Sequence, residues 1–86
     1  MSLLDKKIIP GNHGKTFGTN AKTSDDLKSI KTKILELEGI KSVELNNTVF
    51  PKEFTIHTSK LVTIEEIEEK VKAAGFHSVP KKTFIL

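Results

Sequence analysis

Two stretches of the chain carry apolar residues at helical spacing. In TSDDLKSIKTKILELEG, residues 23–39, Leu27, Ile30, Ile34 and Leu37 follow at intervals of three, four and three, which gathers them on one face. Thr23 or Ser24 is placed to cap the first amides. Asp25 and Asp26 suit the positive end of the helix dipole, and Gly39 supplies a left-handed stop. The second stretch repeats the logic. Thr63 and Glu66 form a capping box, Ile64, Ile67, Val71 and Ala74 make the stripe, and Gly75 ends it.

Between the helices the period changes from 3.6 to two. Val43 and Leu45 alternate with Ser42 and Glu44, and Phe54 and Ile56 alternate with Thr55 and His57, which predicts two half-buried strands separated by the turn-prone NNT and by Pro51. Lys15–Thr19 is expected as a weak first strand and His77–Val79 as the last. GIKSVE at 39–44 returns as GFHSVP at 75–80, an internal echo with a period of 36. The resulting order, β-α-β-β-α-β, predicts an α+β ferredoxin-like sandwich: an antiparallel sheet with two helices on one face.

Composition narrows the classes. The chain has 86 residues, enough for one domain that buries roughly 60% of its unfolded surface. Residues 1–86 are therefore expected as a single domain, with 1–14 an irregular glycine-rich lead-in and 81–86 a tail. No stretch approaches the ~18 apolar residues of a membrane span, and a cytoplasmic location is expected. The absence of cysteine removes disulfides and thiolate chemistry. A net charge of +3 raises nucleic acid as a partner, but all 14 basic residues are Lys and there is neither Tyr nor Trp. Without guanidinium forks or stacking platforms the excess reads as a solvated lysine surface, and no nucleic-acid partner is expected.

GNHGKT at 11–16 has the look of a phosphate-binding loop. The motif requires G-x-x-x-x-G-K-[ST] leading into a helix, and here Ile9 stands where the first glycine belongs. Phe17-Gly18-Thr19-Asn20 opens no helix either. Gly14 and Gly18 instead predict bulges or close backbone approach. The polar cluster Asn12, His13, Lys15, Thr19, Asn20 and Lys22 is the first place to look for a bound anion or peptide, unless it is simply a solvated loop.

LKSIKTKILELEGIKSVELNN, followed by a strand and VTIEEIEEKVKAAGFHSVP, resembles the heavy-metal-associated domain of copper chaperones and metal-transporting ATPases over roughly residues 21–80. The resemblance implies the same ferredoxin-like fold. It also implies a Met-x-Cys-x-x-Cys loop before the first helix, and counting back from Gly39 puts the two cysteines at Thr23 and Asp26 and the methionine near Ala21. Both thiolates are missing, and hydroxyl and carboxylate are poor ligands for Cu(I). In the family the turn after the second helix lies close to the metal loop. Here that turn is Gly75-Phe76-His77, so the resemblance implies that His77 approaches Asp25 and Asp26, and His13 in the lead-in is a candidate to join from the other side. Such an oxygen and nitrogen set suits a divalent transition metal.

Two functions remain open. One is metal-ion binding through Asp25, Asp26, His77 and His13. The other is an interaction or self-association module that kept the fold and lost the metal, using the sheet face around His57 or the tail KKTFIL. Acylphosphatase-like chemistry requires a guanidinium, and RNA recognition requires aromatics where Thr55 and His57 stand. The chain is therefore expected not to be an enzyme.

Overall fold

The computed structural model describes residues 8–80; the tail KKTFIL and residues 1–7 of the lead-in lie outside the described residues. The elements run β1 (Ile8–Ile9), β2 (Gly14–Thr19), α1 (Ser24–Ile34), β3 (Ile40–Asn46), β4 (Glu53–Thr58), β5 (Val62–Thr63), α2 (Ile64–Ala73) and β6 (Ser78–Pro80). Four strands form an antiparallel sheet in the order β3-β4-β2-β6, and β1 pairs with β5 in a separate two-stranded ribbon. The architecture is the expected ferredoxin-like sandwich.

Alternation decides which face is buried. Phe17, Val43, Phe54 and Ile56 point beneath the helices, where Leu27, Ile30 and Ile34 of α1 and Ile64, Ile67 and Val71 of α2 meet them. The Phe17 and Phe54 rings stack in parallel with centroids 5.2 Å apart. Thr16 and Thr55 lie on the other, open face and share a hydroxyl hydrogen bond of 2.9 Å.

Both capping boxes form, on Thr23 with Asp26 and on Thr63 with Glu66. Gly75, at φ +97°, closes α2 by paired bonds from its own N–H to Lys72 O and from Phe76 N–H to Val71 O. Gly39 does not stop α1 in the same way. The regular helix ends at Ile34, and Glu36 and Leu37 donate to carbonyls only three residues back. Gly39, at φ +99°, serves instead a close approach: its carbonyl accepts from Ser59 N–H at 2.8 Å, and a Cβ there would lie 3.0 Å from Val62 Cγ2.

Residues 8–14 are more ordered than the glycines there predict. Ile8–Ile9 pairs with Val62–Thr63, and Ile9 is fully buried. Two-residue strands are too short to carry a period. The echo between GIKSVE and GFHSVP also breaks. Val43 is in the core, whereas Val79 is 69% exposed and lies opposite Gly18 on the open face. A bulge between Ile40 and Ser42 advances β3 by one residue, and a one-residue advance turns the residues that follow to the opposite face.

Candidate functional site

The end of the sheet where the resemblance places a metal loop is built from three segments: 20–23, 47–52 and 75–77. Thr19 N–H donates to Lys52 O at 3.0 Å, joining the first two. The third is clamped at both backbone groups of one residue, since Asn20 Oδ1 accepts from His77 N–H at 2.8 Å and Thr19 Oγ1 donates to His77 O at 2.7 Å. The turn after α2 thus lies against the loop before α1.

Thr23 and Asp26, which stand where the resemblance places two thiolates, are occupied with each other. Thr23 Oγ1 accepts from Asp26 N–H at 3.1 Å, and Asp26 Oδ2 accepts from Lys22 N–H at 3.0 Å and Thr23 N–H at 3.2 Å. Both side chains serve the helix N-terminus as a cap. The Lys22 amide, followed by that of Thr23, holds the Asp26 carboxyl below its ordinary value. A depressed folded-state pKa gives stability that is present above the unfolded value of about 3.9 and lost as pH falls through the folded one. Asp26→Asn is therefore expected to melt below wild type at pH 7, with the difference closing below about pH 4 in a series of thermal melts.

The four residues proposed as metal ligands do not converge. Asp25, Asp26 and His77 share the loop end, but His13 stands before β2, whose six extended residues span about 20 Å between it and the 20–23 loop. His13 instead hydrogen-bonds through Nδ1 to Gly11 O at 3.0 Å. Among the described residues, no group of three or more His, Cys, Asp or Glu is arranged to hold a metal ion.

Part of the polar cluster is likewise taken up by the fold, while Asn12 and Lys22 are exposed. Lys15 points to the helix side of β2, is only 4% exposed, and has its pKa lowered by that burial. Thr19 and Asn20 make the His77 clamp, while Asn12 N–H donates to Thr58 O. Asn12 adopts φ +62°, the left-handed conformation that asparagine tolerates best after glycine. A Cβ on Gly11 would sit 3.2 Å from Ser59 O. The GNHG segment is therefore a tight turn sealed against residues 58–60.

Sequence reasoning missed two features. Phe50, at the tip of the β3–β4 loop, is 98% exposed beside the half-exposed Val49. The loop beneath it is pinned, with Thr48 N–H and Oγ1 both donating to Asn46 Oδ1 and Lys52 Nζ donating to Asn47 O. A lone aromatic in a turn has no periodicity to announce it. The second feature is the partner of His57, which lies on the open face as expected: its Nε2 is 3.6 Å from Glu44 Oε2 on β3.

Among solved structures, one match is a yeast copper transporter domain determined in the apo and Cu(I)-loaded states, at 18% identity and a TM-score of 0.68. The fold resembles that domain. The alignment covers 81% of this chain and 96% of the yeast domain. No family model and no curated protein matches the chain. At this identity the likeness establishes the fold, and function has to be argued from the residues at the loop end. Among the described residues no helix is long and apolar enough to cross a membrane.

Proposed function

We propose that this chain is a non-catalytic protein-interaction module that keeps the metal-domain fold without a soft-metal site, and that it docks a protein partner through its loop end. The observation that carries the reading is Phe50, almost wholly exposed on a loop fixed by its own hydrogen bonds. A rigid aromatic costs little entropy on binding, and such residues dominate interface energetics. The capping box supports the same reading, because it commits Thr23 and Asp26 to the helix end.

The test compares affinity captures from the native host with wild type, Phe50→Ala and His77→Ala. One partner retained by wild type and His77→Ala but lost with Phe50→Ala, at an unchanged melting temperature, is the expected result. Equal recovery by all three refutes docking through Phe50. A divalent ion on Asp25 and His77 is the competing reading, favoured by the clamp that brings His77 against Asn20. It requires amide shifts at those residues on titration with Zn(II), abolished by His77→Ala.

A further inference from the structure

The open sheet face carries a pair of ligand-type side chains away from the loop end. His57 on β4 is paired across the sheet with Gly14 on β2 and Ser42 on β3. A Cβ on Gly14 would lie 3.1 Å from His57 Cε1 and 3.2 Å from Nδ1, so the imidazole rests on the glycine. Its Nε2 is 3.6 Å from Glu44 Oε2, beyond hydrogen-bond length. A tetrahedral ion with bonds of about 2.1 Å holds its ligand atoms roughly 3.4 Å apart. The pair is thus spaced as two adjacent corners of such a site.

Two ligands make half a site, and the face offers a way to complete it. Gly14 is covered by the His57 ring, but Gly18 leaves β2 without a side chain farther along the same face, where a Cβ would meet nothing nearer than Val79 O at 4.0 Å. Exposed Val79 lies beside this gap. A second copy, related by a two-fold axis parallel to the face, can approach closely there and bring its own His57 and Glu44. Two neutral imidazoles and two carboxylates balance a dication, and this set is one that Zn(II) accepts.

We propose that His57 and Glu44 form half of a zinc site that a second copy of this chain completes, joining two molecules through their open sheet faces. This inference is independent of docking through Phe50. The test is sedimentation equilibrium together with proton–nitrogen NMR during Zn(II) titration at pH 7.5. The expected result is a dimer that saturates at one zinc per two chains, with amide shifts centred on Gly14, Ser42, Glu44 and His57. His57→Ala and Glu44→Gln abolish the dimer, and Val79→Asp blocks it by placing two carboxylates across the contact. His77→Ala and Phe50→Ala leave it intact. A chain that stays monomeric at all zinc concentrations overturns the proposal, showing the pair to be an ordinary ion pair. Shifts centred on His77, or a zinc dimer that survives His57→Ala, overturn it equally.

Discussion

Phe54→Ala is expected to cost about 3–5 kcal/mol, the typical loss when a fully buried aromatic is truncated. Phe54 is 0% exposed on the second of the two central strands, pairs directly with Phe17 across the sheet and stacks on its ring. Truncation removes the ring's transfer energy and leaves a cavity beneath both helices. It also strips Phe17 of its stacking partner, and the other neighbours can fill the space only by moving the helices. Small domains have about 5–15 kcal/mol in total, so this variant should be at the margin of folding. Urea melts followed by circular dichroism check the value. If Phe54→Ala does not fold, Phe54→Leu keeps most of the volume and should cost about 1.5 kcal/mol or less. A loss under 1 kcal/mol for the alanine variant would mean that the core under the helices is not packed as described.

That core was legible because it is periodic. Leu27, Ile30 and Ile34 at helical spacing, and Phe54 and Ile56 at strand spacing, each declare a face without reference to any distant residue. Thr63 with Glu66 declared a helix start for the same reason, since both partners lie within one turn. What was not legible depends on residues far apart in sequence or on a break in period. The bulge at Lys41 flips β3 relative to β6 and makes Val43 and Val79, alike in the repeat, unlike in the fold. The end of α1 is not announced by Gly39, because that glycine answers to Val62 and Ser59 across the chain rather than to the helix before it.

The candidate site divides along the same line. Counting from Gly39 located Thr23 and Asp26, and the approach of the His77 turn to the 20–23 loop followed from the resemblance. That their oxygens are spent on a cap rather than left as ligands is a matter of local hydrogen bonding: the sequence offers Thr23 or Ser24 as the cap, and the structure adds the reciprocal Asp26 bond. His13 stands at the far end of β2, where Thr58, 45 residues away, holds its turn, and no local pattern in the sequence reports that pairing.

Thr58 therefore makes the second prediction with a large effect. It is 1% exposed, and its hydroxyl donates to Pro10 O while accepting from His13 N–H at 3.3 Å. Its backbone joins the same turn, with its N–H donating to His13 O at 2.9 Å and its carbonyl accepting from Asn12 N–H at 2.8 Å. Thr58→Val keeps the shape and the β propensity but leaves the Pro10 carbonyl and the His13 amide without that partner. The expected cost is about 2–3 kcal/mol, set by two backbone groups losing a buried partner rather than by lost volume. The loss should concentrate on the lead-in. Hydrogen exchange at Asn12 and His13 should rise more than at Ile56, whose strand is held by neighbours on both sides. Thr58→Ser retains the hydroxyl and should restore most of the protection, which separates the hydrogen bonds from packing. Equal behaviour of the valine and serine variants would mean that the glycine-rich turn is sealed by its backbone bonds alone.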